Sequence, residues 1–92
     1  MSNGEISYKI LANVGTIAKY PTGWTKEVNI ISWNGAAAKV DVRDWSEDHE
    51  HMSRGVTLTA EETKRFIDAV QARDAVGLLH DMNAPRVNDY ER

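Results

Sequence analysis

Hydrophobic and polar residues alternate with a period of two along the first half of the chain. Ile6, Tyr8 and Ile10 alternate with polar neighbours, which predicts a half-buried strand over residues 6–17. A turn-forming segment at 20–23 ends it, and residues 24–33 are rich in β-branched and aromatic residues, which favours a second strand.

The clearest alternation follows the dipeptide Asn34-Gly35, which readily forms a hairpin turn. In the third predicted strand, residues 38–45, one face carries small apolar residues and the other carries Lys39, Asp41, Arg43 and Trp45. Residues 46–53 are almost entirely polar and are predicted to form a solvated loop. A short fourth strand is predicted over residues 54–58.

A helix is predicted after the strands. Thr59 and Glu62 have the spacing of a capping box, and a helix over residues 60–73 places Phe66, Ile67 and Val70 on one apolar stripe. Residues 75–79 could extend this helix, although Gly77 disfavours the extension.

The predicted fold class is therefore α+β, a four-stranded antiparallel sheet followed by one C-terminal helix (β-β-β-β-α). Residues 6–80 form the predicted domain, residues 1–5 a disordered N-terminus and residues 81–92 a polar tail.

Size and composition exclude several classes of protein. Ninety-two residues allow one domain, and a chain this short buries little surface, which makes oligomerisation plausible. There is no cysteine and no apolar run long enough to cross a bilayer, and no secretory signal is expected from the first residues. We therefore expect a cytoplasmic protein without a cofactor.

The net charge of −3 argues at first against a nucleic-acid partner. However, most acidic residues lie in the predicted loop, helix and tail, so the strands are richer in cations than the whole chain. The row containing Lys39, Arg43 and Trp45 suits a polyanion with unpaired bases, because cations meet phosphates and an indole offers a stacking surface.

Four short motifs occur together in a specific order and spacing: GWTKE at 23–27, SWN at 32–34, DVRDWS at 41–46, and GVTLT at 55–59 followed by Glu61 and Glu62. In these motifs the stretch from residue 24 to about residue 66 resembles the small bacterial members of the positive cofactor four family, transcriptional coactivators that bind single-stranded DNA. One departure is the turn at residues 35–38, which lacks the lysines of the eukaryotic relatives.

The resemblance implies a curved sheet, two copies paired through their helices, and single strands lying along the sheet faces. Matched position by position, the nucleic-acid-binding residues it implies are Lys26, Trp33, Lys39, Arg43, Trp45 and Arg54. The function expected from it is that of a homodimeric, largely sequence-independent single-stranded DNA-binding protein. Such a protein would act as a transcriptional coactivator or in DNA maintenance, nucleoid-associated if the source is bacterial, with RNA as a further possible ligand.

Several alternatives remain open from the residues alone. A two-residue turn would pair Trp33 with Ala36 and place it in the core, whereas a three-residue loop would pair it with Ala37 and place it beside Lys39, outside. Arg43 could pair with Asp41. The open sheet face could instead bind a protein, which makes an interaction module the alternative function.

Catalytic and metal-binding interpretations are weaker. His49 and His51 with their acidic neighbours could supply metal ligands, but no third ligand has a suitable spacing. The acidic residues of the loop lack the preorganisation that a nuclease needs. The sequence therefore predicts neither a metal site nor an enzyme.

Overall fold

The structure, a computed structural model, describes residues 6–84. The strands are β1 (Tyr8–Lys19), β2 (Thr25–Trp33), β3 (Lys39–Trp45) and β4 (Met52–Leu58), and the helices are α1 (Ala60–Ala72) and α2 (Ala75–Asn83). The strands form one antiparallel sheet in the order β1-β2-β3-β4. The predicted α+β class and the four-stranded sheet are confirmed. The predicted N-terminus at 1–5, and the predicted tail from residue 85 onward, lie outside the described residues.

The prediction of a single helix is wrong, because Asp74 separates two helices. Asp74 has left-handed dihedral angles (φ 47°, ψ 62°), and its side chain accepts a hydrogen bond from the Gly77 amide at 3.2 Å. Asparagine and aspartate tolerate this conformation and are favoured N-caps, so the chain leaves α1 and begins a new helix. Helix α2 extends to Asn83, past the predicted start of the tail. Neither described helix is long and apolar enough to cross a membrane.

The start of α1 follows the sequence prediction closely. The Thr59 side chain accepts a hydrogen bond from the Glu62 amide at 3.1 Å, and the Glu62 carboxylate accepts one from the Thr59 amide at 2.8 Å. This reciprocal pair satisfies two amides that the helix itself leaves unpaired. The capping box therefore fixes where the chain changes from β4 to α1.

Strand β1 departs from regular pairing at three evenly spaced positions. Its register against β2 shifts at Leu11, Val14 and Ile17, each an extra residue in β1. Such bulges bend a strand and increase its twist. They also interrupt the outer edge of β1, which opposes pairing with another chain along that edge.

The pairing register divides the side chains of β2 and β3 between two faces of the sheet. We call one the Arg43 face; it carries Thr25, Glu27, Asn29, Ile31, Trp33, Lys39, Asp41, Arg43 and Trp45. We call the other the valine face; it carries Val28, Ile30, Val40 and Val42, joined by Val56 and Leu58 of β4. This division confirms the alternation predicted for residues 38–45.

The buried side chains of the sheet lie on the face that the sequence marks as polar. Ile31, Trp45, Glu27, Asn29 and Asp41 are buried, and all five belong to the Arg43 face. The valine face is only half-buried or exposed within one chain. The alternation in the sequence therefore predicted which residues share a face. It did not predict that a single chain buries the polar Arg43 face and leaves the valine face partly open.

The helices bury almost nothing in a single chain. Helix α1 approaches β3 and β4, yet neither α1 nor α2 contains a buried residue. The exposed large apolar side chains on the two helices are Phe66, Ile67, Val76, Leu78, Leu79 and Met82. Exposed apolar surface of this extent marks a site of association.

Candidate nucleic-acid interface

Trp33 is placed on the Arg43 face by an irregular hairpin between β2 and β3. Asn34 (φ 52°) and Gly35 (φ 76°) form a two-residue turn, in which the Ala36 amide donates to the Trp33 carbonyl at 2.8 Å. The regular ladder nevertheless begins only where Ile31 pairs with Lys39. Residues 36–38 make no ladder pairs with β2, so the two-residue turn does not set the register between β2 and β3. Of the two alternatives, Trp33 therefore takes the position beside Lys39.

Arg43 is held rigidly on this face by Asp41. Its Nε and Nη2 atoms each donate to an Asp41 carboxylate oxygen at 2.7 Å, and Nη1 donates to the Ser53 carbonyl at 3.2 Å. The Asp41 side chain is fully buried and that of Arg43 is 12% exposed. A two-pronged pair of this kind fixes the orientation of the guanidinium. The central carbon of the Arg43 guanidinium lies 4.6 Å from the centre of the Trp33 ring, so the cation covers that ring.

Strand β4 makes room for this arrangement at Gly55, which pairs with Arg43. A Cβ atom at position 55 would lie 2.5 Å from the Arg43 Cβ and 2.9 Å from its Nε. Contacts that close require neighbouring atoms to shift. Glycine at this position therefore allows the Arg43 side chain to lie across β4.

Four aromatic rings form a continuous series on the Arg43 face, and we call it the aromatic row: Trp33, Tyr8, Trp45 and His49. The ring centres of Tyr8 lie 5.3 Å from Trp33 and 5.7 Å from Trp45, and Trp45 stacks on His49 at 5.6 Å with an interplanar angle of 27°. These separations are typical of favourable aromatic contacts.

The expectation that Trp45 lies on an uncovered surface is wrong. Trp45 has no exposed surface, because Tyr8 and His49 pack against it. Contact between Trp45 and a base would require this cover to move, and such a contact stays a prediction. Sequence reasoning missed Tyr8 and His49. The pairing of Tyr8 with Trp33 depends on the β1–β2 register, and the position of His49 depends on a loop.

The loop between β3 and β4 is more ordered than its polar sequence predicts. Ser46 is buried, and Asp48 accepts hydrogen bonds from the Ser46 hydroxyl at 2.7 Å and the Glu50 amide at 2.9 Å. These bonds, led by the one from the Glu50 amide, lower the pKa of Asp48. His49, at φ 60°, reaches back to the sheet, where its Nε2 lies 2.8 Å from a Glu27 carboxylate oxygen.

Glu27 is the centre of a buried polar network beneath the aromatic row. Burial alone would raise its pKa, but hydrogen bonds with Thr25 (2.7 Å), His49 (2.8 Å) and Asn29 (3.3 Å) outweigh burial and lower the pKa. Asn29 in turn accepts a hydrogen bond from Asn13 of β1 at 2.8 Å. The network therefore joins β1, β2 and the loop through side chains on one face.

The three remaining predicted residues occupy different environments. Lys26 alternates onto the opposite face and pairs with Asp44 at 3.0 Å; hydrogen bonds to Asp44 and then Tyr20 raise its pKa. Lys39 lies on the Arg43 face, and Arg54 is exposed at a bulge of β4. Within residues 6–84, neither Lys39 nor Arg54 belongs to an ion pair. The structure thus gathers Trp33, Lys39, Arg43 and Trp45 but not Lys26.

Within residues 6–84 no group of three histidine or acidic side chains is placed to hold a metal ion. The Nε2 atom of His49 is engaged with Glu27. The histidine pair of the loop therefore gives no geometric support to a metal site.

Comparison with known families identifies the architecture. A family model described as transcriptional coactivator p15 (PC4) matches residues 20–69, more than half of the chain. The chain belongs to the PC4 family. This confirms the resemblance in the sequence motifs, and the matched region contains Trp33, Arg43, Trp45 and His49. PC4 proteins bind nucleic acid and are not enzymes, so membership indicates a DNA-binding, coactivator-type function.

A relative in Treponema pallidum (strain Nichols), described as an uncharacterized protein, is 43% identical over 70 residues. The alignment covers 76% of this chain and 82% of the relative. The likeness to this relative is therefore longer than the segment matched by the family model.

The polar network makes a pH-dependent contribution to stability. Because folding lowers the pKa of Glu27 below 4.5, the stability it supplies is present above that pH and is lost as pH falls through the folded value. We expect Glu27→Gln to lower the free energy of unfolding by roughly 1–2 kcal/mol at neutral pH, through weakened hydrogen bonds. The difference from wild type should shrink as pH falls from about 6 to about 3 in urea titrations.

Glu50→Gln is the matched control, since Glu50 is an exposed glutamate of the same loop. It should change stability little at any pH. A Glu27→Gln deficit that does not vary with pH would contradict the role assigned to the ionised Glu27 carboxylate.

Proposed function

We propose that this PC4-family protein binds single-stranded DNA as a homodimer, largely independently of base sequence, through the Arg43 face. The observation that carries the proposal is the Arg43 guanidinium lying 4.6 Å above Trp33 and fixed there by buried Asp41. This rigid unit frames the other rings of the aromatic row and Lys39, which lies on the same face, and rings beside a cation are the chemistry that unpaired nucleotides require. Membership of the PC4 family supports a role in transcription, as a coactivator.

Independence from sequence follows from the kind of contacts available. Every base presents a flat ring that can stack on an aromatic side chain, and phosphates are identical at every position. The aromatic row offers rings, and Lys39 on the same face offers a cation without an ion-pair partner in residues 6–84. These features favour stacking and backbone contact over recognition of particular base edges.

The arrangement of charges predicts that the affinity for single strands depends only modestly on salt concentration. Two of the four predicted cations, Lys26 and Arg43, already pair with carboxylates, whereas Lys39 and Arg54 do not within the described chain. Each phosphate contact with a single strand contributes about 0.7 to the slope of log affinity against log salt concentration. Two phosphate contacts per protomer, by Lys39 and Arg54, give a slope of roughly −1.4.

Lys39 and Lys26 form a matched pair of variants, because they lie on opposite faces of the sheet. Measured by anisotropy of fluorescein-labelled oligothymidylate at several salt concentrations, Lys39→Ala should weaken binding and reduce the slope by about 0.7. Lys26→Ala should leave the slope unchanged. Absence of binding by the wild type at low salt would overturn the proposal. Oligothymidylate binding that does not change with salt concentration would contradict the phosphate contacts assigned to this face.

Dimerisation is supported by the apolar surface that a single chain leaves open. The large side chains of α1 and α2 are exposed and the valine face is incompletely covered. A 92-residue chain with so little buried apolar surface gains stability by sharing a core with a second copy. The helices are accordingly the proposed contact between two copies.

Sedimentation equilibrium tests this directly, with an expected mass of twice 10.3 kDa. Phe66→Glu places a charge on the exposed apolar stripe of α1 and should convert the dimer to monomer or unfold it. Gln71→Glu adds the same residue at a polar, exposed position of α1 and should leave the mass unchanged. A wild-type mass of 10.3 kDa at micromolar concentration would contradict the dimer.

A further inference from the structure

The two tryptophans of the aromatic row are largely occupied by the protein itself. Trp45 has no exposed surface, and its neighbours are His49 on a stacked ring and Tyr8 on a tilted one. Trp33 is covered by the Arg43 guanidinium and contacted by Tyr8 at 5.3 Å. Of the two tryptophans that the family resemblance implies for stacking, Trp45 therefore offers no surface to a ligand, and half-buried Trp33 offers only the part that Arg43 and Tyr8 leave open.

The most exposed members of the row are Tyr8 and His49. Tyr8 is 37% exposed and the His49 side chain 45% exposed, although both pack against Trp45. Both residues thus contact the fully buried indole, His49 by stacking and Tyr8 with its ring tilted by 52°, and both keep further surface open to solvent. Support of this kind fixes a ring before a ligand arrives, which reduces the entropy lost on binding.

His49 is further fixed by a hydrogen bond. Its backbone is left-handed (φ 60°), and the Nε2 contact with Glu27 at 2.8 Å holds the ring in place over Trp45. Glu27 is itself bonded to Thr25 and Asn29. The imidazole is therefore a preorganised surface rather than a mobile loop side chain.

We infer that Tyr8 and His49 provide the base-stacking surfaces of this protein and that Trp45 acts as their internal support. The inference rests on the proposed binding of single-stranded DNA and specifies which rings the bases contact. Tyr8 lies outside the segment matched by the PC4 family model, and His49 lies within it.

The test compares two labelled single strands with the same phosphates: oligothymidylate and an abasic oligomer of equal length. Tyr8→Leu removes the aromatic ring but keeps an apolar side chain, and Tyr8→Phe keeps the ring. We expect Tyr8→Leu to weaken oligothymidylate binding at least about fivefold, with Tyr8→Phe close to wild type. Neither should change binding of the abasic strand, because that strand has no base to stack.

His49 allows the ring to be separated from the hydrogen bond. His49→Phe keeps an aromatic ring and loses the donor to Glu27, whereas His49→Gln keeps a donor and loses the ring. Retained oligothymidylate binding in His49→Phe, with at least about fivefold weaker binding in His49→Gln, supports stacking. Weakened binding in His49→Phe, with retained binding in His49→Gln, would show that His49 acts only through Glu27 and would overturn its assignment as a stacking surface.

Two neighbouring residues serve as controls. Tyr20 is also 37% exposed but is not part of the row, and His51 lies in the same loop as His49. Tyr20→Leu and His51→Gln should leave both affinities unchanged. Equal losses for oligothymidylate and the abasic strand in the Tyr8→Leu and His49→Gln variants would indicate structural damage and overturn the inference.

The outcomes also separate the inference from the proposed function. A wild-type protein that binds neither strand at low salt refutes the proposed function itself. A wild-type protein that binds oligothymidylate, with Tyr8→Leu and His49→Gln binding equally well, refutes only the assignment of the stacking surfaces.

Discussion

The ion pair between Asp41 and Arg43 is the interaction on which the rest of the site depends. A carboxylate with no exposed surface is stable only when its charge is matched, and two hydrogen bonds of 2.7 Å from one guanidinium provide that match. The same bonds hold the cation over Trp33, and Gly55 leaves space for its side chain. Removal of either partner would leave a buried charge unpaired.

This pair explains why a single chain encloses its polar face. Arg43, Trp33, Tyr8 and His49 extend over the middle of the sheet, and buried Asp41 and Glu27 lie among them. The valine face, which looks like a core in sequence, keeps much of its surface open together with the helices. The face proposed for nucleic acid is thus preformed within one chain, while the apolar surfaces are those proposed for a second copy.

Much of the fold could be predicted because its causes are local. Alternation located the strands, the capping box located the start of α1, and the motifs around Trp33 and Arg43 identified the family. The break at Asp74 was missed because the apolar spacing continues across it and only the left-handed backbone separates the helices.

The candidate site was less predictable because its geometry depends on contacts distant in sequence. The burial of Trp45 requires Tyr8 from β1 and His49 from the loop, and no periodicity within β3 reveals either. The pairing of Arg43 with Asp41, two residues away, was open from the sequence, whereas the pairing of Lys26 with Asp44 across the ladder was missed. The residue types indicated cations and stacking rings, and the strand register determined which of these groups stay unpaired and exposed.

The central claim is that unpaired bases contact the Arg43 face and leave the valine face untouched. The most direct measurement is a titration of isotope-labelled protein with oligothymidylate, followed by NMR signals of the aromatic rings and the valine methyl groups. We expect the largest shifts at Tyr8, Trp33 and His49, with the methyl groups of Val28 and Val42 unchanged. Shifts concentrated on those valine methyl groups, with the aromatic signals unmoved, would contradict the claim.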